Sequence, residues 1–174
     1  MFKKSLIAIA AVAFSASVGA SAPYVGASLG IDNNTSSTSN FRGLSPLISA
    51  GYGAAFNQNI YLAGEGFANL GTITINNNST SASSVKTSYG YGLSFIPGVF
   101  LSDHSMLYAR AGVIRTKFSR ANSTATGGQL GLGIQTSVTQ NCDIRGEYDY
   151  ASYNKVGGVS PQADQYTIGL VYKF

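Results

Sequence analysis

Charged side chains are scarce in this chain, with 11 Lys and Arg against 7 Asp and Glu in 174 residues. Six of them could do chemistry: Glu65, Arg110, Arg145, Glu147, Asp149 and Lys173. Glu147 and Asp149 are spaced by two, which on a strand puts both carboxylates on one face, an arrangement open to general acid–base work. Arg110, Arg145 and Lys173 offer each carboxylate a partner, however, and three negatives against three positives read as an ion-pair network. The only histidine, His104, lies beside Ser105 in a segment that reads as a short turn, with no third group to orient a nucleophile–base pair. The only cysteine, Cys142, has no disulfide partner in the chain. With Asp143 and His104 it is too sparse for a metal cluster. The Asn-rich runs lack the spaced carboxylates of a calcium loop. Gly51-Tyr52-Gly53 and Gly131-Leu132-Gly133 lie in strand patterns with no helix behind them, so they are not phosphate loops. These residues point to no catalytic centre, no metal and no cofactor. A lumen binding site or proton path is the functional alternative for the six charges.

The elements that must position them are strands. Eight segments alternate with period two, which marks a strand with two different faces. In residues 23–32 Val25, Ala27, Leu29 and Ile31 share one face, while Tyr24, Gly26, Ser28 and Gly30 share the other. In residues 46–56 the apolar face is Ile48, Ala50, Tyr52, Ala54 and Phe56. The third segment, 60–70, is rich in Gly, with Leu62, Ala68 and Leu70 on one side and Glu65 on the other. The remaining five cover 88–100, 106–116, 128–139, 143–151 and 165–174. In the last, Tyr166, Ile168, Leu170, Tyr172 and Phe174 alternate with Gln165, Thr167, Gly169, Val171 and Lys173. All six charges fall on the face made of Gly, Ser and Gln. A water-soluble sheet would bury the apolar face and wet the polar one. Small and polar residues cannot form an oily core, so here the apolar face meets lipid and the polar face is enclosed. Ten residues at a tilt near 40° rise about 25 Å, the height of a barrel's lipid-facing band.

The connections fit a closed up-and-down arrangement. Short turns at 57–59, 101–105 and 140–142 alternate with longer polar stretches at 32–45, 71–87, 117–127 and 152–164. Three short and four long connections make eight strands, with both mature termini on the short-turn, periplasmic side. The predicted fold is all-β: an eight-stranded antiparallel up-and-down transmembrane β-barrel over residues 23–174. Pro97 departs from the pattern, because a closed barrel wants every N–H in its ladder. It predicts a bulge, an early strand end or a shifted register.

Residues 1–22 read as an address. Lys3 and Lys4 precede an apolar run at 6–14, followed by small residues that allow cleavage after Ala20 or Ala22. The net charge of +4 falls to +2 (9 minus 7) without those two lysines, which is no nucleic-acid footprint. Arg115 lies on the outward face just beyond Val113; with Arg42, Lys117 and Arg120 it could meet lipopolysaccharide phosphates, the alternative being solvated loop charges.

Four pieces carry a family resemblance: Gly51-Tyr52, the run from Leu107 to Gly112, the run from Arg145 to Tyr150, and the terminal YTIGLVYKF. In this order and spacing the chain resembles the OmpA-like and OmpX-like eight-stranded outer-membrane barrels, a family that includes opacity-type surface antigens. The resemblance implies the outer membrane of a Gram-negative bacterium. It implies lipid and lipopolysaccharide as surroundings, and a C-terminal strand (Tyr166, Ile168, Leu170, Tyr172, Phe174) that serves the barrel-assembly machinery as its signal. It also implies a non-enzymatic surface role: adhesion, contact with a host or matrix ligand through four polar loops, or envelope integrity. A small-solute channel is the alternative. A lipid A-modifying enzyme is a third reading, since some barrels of this size have that activity.

Overall fold

A computed structural model of the chain describes residues 21–36, 39–71, 73–76, 87–118, 123–154 and 162–174. The strands are β1 (Ser21–Ser36), β2 (Ser39–Ala55), β3 (Ile60–Asn69), β4 (Ile73–Asn76), β5 (Thr87–Phe100), β6 (Ser105–Phe118), β7 (Ser123–Ser137), β8 (Cys142–Tyr153) and β9 (Gln162–Lys173). Each pairs antiparallel with its neighbours in the order β1-β9-β8-β7-β6-β5-β3-β2, and β2 closes the circle on β1. The short β4 pairs with β2 beyond the end of β3, so β3 and β4 form one stave and the barrel has eight. Asn69 opposes Leu47 and Ile73 opposes Leu44, so the β3–β4 stave carries one extra residue here. Gly71 sits in this break with φ 104°, a left-handed conformation that favours glycine.

Closure follows from the two faces. Large apolar side chains point outward on every stave, and Leu93, Leu130, Leu132 and Ile168 are more than 60% exposed. Such a belt is stable only against lipid. Two apolar layers lie inside the barrel. Tyr24, Ala63, Ile96, Met106, Tyr108 and Val171 pack together toward the short-turn end. Phe67, Ile114, Ala125, Ala151 and Tyr153 pack toward the other. Inward glycines make room for these rings: a Cβ on Gly51 would run into the Tyr24 ring, and one on Gly133 into the Tyr108 ring.

Three turns close the short-turn end. Asn57 Oδ1 accepts the N–H groups of Asn59 and Ile60 at 2.9 and 2.8 Å. Ser102 Oγ accepts from Ser105 N at 3.1 Å, and Thr139 Oγ1 from Cys142 N at 3.0 Å. Each side-chain oxygen replaces a missing ladder partner.

Two expectations are corrected. Among the described residues, the polar stretches at the opposite end are almost all strand. The β1–β2 ladder runs through Asn33↔Arg42 and Asn34↔Phe41 to Ser36↔Ser39, where a loop spanning 32–45 was predicted. Likewise β6 reaches Phe118, β7 starts at Ser123 and β9 at Gln162. Backbone pairing is indifferent to side-chain polarity. Beyond the lipid both faces meet water, so the ladder continues where the alternation stops. Pro97 is the second correction. Phe95 opposes Ala111 and Gly98 opposes Tyr108, so one register holds on both sides of it. Pro97 itself opposes Leu62 on β3. Ile96 and Pro97 lack a rung to β6, because the missing N–H falls on that side. There is no bulge at Pro97, no early end and no shift.

Candidate functional site: the barrel lumen and the outer rim

The charged inward side chains meet between the two apolar layers. Glu65 on β3 is 2% exposed and lies at the centre. Arg110 Nη2 of β6 donates to its Oε1 at 2.7 Å, and Arg145 Nη1 of β8 donates to its Oε2 at 2.6 Å. One carboxylate thus bridges two guanidiniums, each oxygen receiving a charge-assisted bond. Arg110 also faces Glu147 Oε1 at 3.0 Å and Asp149 Oδ1 at 3.7 Å through its Nε, and it donates to Ser94 Oγ at 3.2 Å. Tyr108 Oη donates to Glu147 Oε2 at 2.6 Å. Rings cover the cations: Arg145 lies between Tyr24 and Tyr108 at 5.5 and 5.3 Å, and Arg110 over Phe67 at 5.6 Å.

The network continues to the short-turn mouth. Arg145 Nε donates to Gln135 Oε1 at 3.1 Å, and Gln135 Nε2 to Asp143 Oδ2 at 2.6 Å. Asp143 Oδ1 pairs with Lys173 Nζ at 2.7 Å. Lys173 is one-third exposed and ends the chain of contacts. The six predicted charges therefore lie in one lumen, Glu65, Glu147 and Asp149 around Arg110 and Arg145, and Lys173 at the mouth.

Asp143 is a correction to the charge count. It stands outside the six inward charges expected from the sequence, yet it is 3% exposed and is the partner of Lys173. Asp32 is also buried, and Gln165 Nε2 donates to it at 2.5 Å. The lumen charges do not balance three against three. Parity held the signal in both cases: Asp143 is two residues before Arg145, and Asp32 two after Gly30. Both stand at the limits of the segments read as strands, where the inward set was not extended to them.

The packed interior contains small cavities. One, of about 10 Å³, is lined by Arg110, Arg145 and Glu147 among others. The second, of about 40 Å³, is lined by Asp32, Asn69, Thr116, Gln129, Asp149 and Gln165 among others. Among the described residues no group of three or more His, Cys, Asp or Glu assembles as a metal site. His104 is exposed in the β5–β6 turn, where its backbone N lies 3.4 Å from Ser102 Oγ.

On the outer surface Arg115 is exposed and Lys117 half-buried. They stand opposite Tyr91 and Tyr89 on β5, both exposed, so two cations and two phenol rings share one patch. Arg42 lies in β2 opposite Asn33, with its side chain outside the described residues, and Arg120 is outside them altogether. The outward face also carries an acid at the end of the 152–164 stretch. Asp164 accepts from Tyr148 Oη at 2.6 Å, and the Tyr148 ring lies 4.9 Å from that of Tyr166. Tyr166, Ile168, Leu170, Tyr172 and Phe174 are all exposed along β9 and the residue after it. Phe174 N donates to Pro23 O at 3.1 Å, tying the chain end to β1. Most of the signal segment, 1–20, lies outside the described residues.

Comparison with known proteins agrees with this architecture. The model of the outer membrane protein beta-barrel domain matches residues 5–174. No match was found among curated proteins. Among solved structures, Neisserial surface protein A is 25% identical, with a TM-score of 0.64, and the match covers 89% of this chain and 99% of that one. Ail, the attachment invasion locus protein of Yersinia pestis, is similar in fold at 16% identity and a TM-score of 0.61, covering 88% of this chain and 99% of the other. That Ail structure holds the heparin analogue sucrose octasulfate.

Proposed function

The chain belongs to the outer membrane protein beta-barrel domain family, and on that premise we propose that it is a non-enzymatic surface protein of the Gram-negative outer membrane. Its working surface is the outer rim, and its role is adhesion, host contact or envelope integrity. One observation carries this reading. The lumen is filled by Glu65, Arg110, Arg145 and the rings around them, and the larger of the two interior cavities described is about 40 Å³. A barrel packed in this way has little room for a passing solute or a substrate. What it offers a partner is the set of strand ends that continue past the lipid belt, such as the β1–β2 ladder beyond Asp32. The similarity to a Neisserial surface protein supports a surface role.

Three further assignments belong to this proposal. Arg115 and Lys117, flanked by Tyr89 and Tyr91, bind lipopolysaccharide phosphates at the interface, and Arg42 and Arg120 are assigned the same partner. The C-terminal strand engages the barrel-assembly machinery, with both termini periplasmic. The leader is cut after Ala20. Ser21 and Ala22 pair with Ala54 and Gly53 on β2, and Tyr52 Oη donates to Ser21 Oγ at 2.8 Å, so both have a place in the sheet. The test is a series of shortened β1–β2, β6–β7 and β8–β9 connections on intact bacteria, scored for binding to host cells and matrix proteins. Loss of binding with normal barrel assembly supports the surface reading. Unchanged binding across the series sinks it.

A further inference from the structure

The centre of the lumen holds a charge surplus with an adjoining cavity. Glu65, Glu147 and Asp149 surround only two guanidiniums, Arg110 and Arg145. Glu65 takes a short bond from each arginine. Glu147 takes the Tyr108 hydroxyl and stands 3.0 Å from Arg110. Asp149 has the longest reach to a cation, 3.7 Å; its carboxyl is in hydrogen-bonding contact with Glu147 and the Gln129 amide, but its buried Oδ1 accepts no hydrogen bond from a described group. A buried carboxylate so placed is costly without further compensation.

Directly against it lies the cavity of about 40 Å³. Gln129 lines this cavity from β7, is 4% exposed, and its Oε1 likewise accepts no hydrogen bond from a described group. Donors on the same wall are engaged elsewhere: Gln165 Nε2 bonds Asp32, Asn69 Nδ2 bonds Ser45 Oγ, and the Thr116 and Tyr153 hydroxyls lie 3.2 Å apart. The lining thus offers hard oxygens, including two carboxylates and an amide carbonyl, in a space of one or a few water volumes. Hard cations take such ligands. Only two acids line it, and Arg110 already offsets part of the Asp149 charge, so a divalent ion is poorly matched.

We propose that this cavity binds a small monovalent cation of the sodium class, held by Asp149 and Gln129 Oε1, which neutralises the surplus carboxylate of the lumen.

The test uses the full-length barrel folded in non-ionic micelles. Thermal unfolding is followed while choline chloride is replaced stepwise by NaCl at constant ionic strength and neutral pH. Choline is too large for the cavity, so general screening is held fixed. The expected result is a melting temperature that rises with sodium and saturates, as for a ligand bound only by the folded state. Asp149→Asn should lose the sodium response and melt in choline at or above the temperature of the unmodified protein, since it removes the surplus charge. Gln129→Leu should weaken the response. Should these variants not fold, excess sodium-23 line broadening by the unmodified barrel, lost on heat unfolding, provides the second readout. Equal melting in both salts with no excess broadening overturns the proposal and leaves Asp149 neutralised by a proton. A sodium response that survives Asp149→Asn, or a response to CaCl2 alone, also overturns it.

Discussion

At the scale of the residue, the lumen charges differ in what their removal leaves behind. Glu65 is the shared acceptor of two buried arginines, so Glu65→Ala would leave Arg145 without a carboxylate in a space closed to water, while Arg110 keeps Glu147 and Asp149. Breaking a buried pair costs about 3–5 kcal/mol, because the orphaned charge stays buried. Lys173 is one-third exposed at the mouth, and Asp143 keeps Gln135 as a donor when the lysine is gone. Lys173→Ala should cost about 1 kcal/mol or less, as for a partly solvated pair. Urea unfolding in lipid vesicles would show the contrast, and equal losses would mean that Glu65 is better solvated than its packing implies. Lipid-facing residues follow a different rule. Leu132 and Leu170 are 62% and 55% exposed near the middle of β7 and β9. Arginine at either should cost about 2–4 kcal/mol if the position meets hydrocarbon at the midplane, against about 0–1 near an interface. A value near zero at both would move the membrane along the barrel.

At the scale of the element, β9 closes the barrel by pairing with both β1 and β8. Its last contacts lie at the chain end, where Phe174 N donates to Pro23 O and the Phe174 ring meets Tyr172 edge-on at 5.2 Å. Deleting Phe174 removes the final rung and the last aromatic of the alternating face. The amount of heat-modifiable, folded protein in outer-membrane fractions should fall, and unchanged assembly would detach the strand from any signalling role. Pro97 teaches the opposite lesson about elements. Read alone it looks like a strand breaker, yet β5 passes through it in one register because its other side still pairs with β3. A closed barrel binds each strand on two edges, so one lost rung does not release it.

At the scale of the molecule, the barrel is a filled cylinder with a lipid-facing belt and sheet that runs on past it. In planar bilayers the folded protein should show no large, stable conductance, because Arg110, Arg145 and their partners occupy the path. A steady open channel in the unmodified protein would contradict the filled lumen and revive the solute-channel reading. Length beyond the lipid also changes the picture of the rim. A surface built on paired strands presents a partner with a pre-ordered ladder, whereas free loops would lose more entropy on binding.

The amino-acid sequence determined the class of the fold, the number of staves and which residue faces which way. Lipid imposes an apolar side chain on every second position, and that constraint is written locally, as in Leu130, Leu132 and Ile134 against Gln129, Gly131 and Gly133. It also marked the six charges as lumen residues, because the same parity carries them inward. Pairing was decided only by the closed sheet. Glu65 lies 45 positions from Arg110 and 80 from Arg145, and no local pattern says that one acid will serve both. Stagger around the barrel brings β3, β6 and β8 to one level across the lumen, and stagger is a property of closure. The reach of the strands was hidden for a related reason. Beyond the bilayer, water on both faces erases the alternation, while backbone N–H and C=O groups go on pairing from Asn33 to Ser36 with no hydrophobic mark to show it.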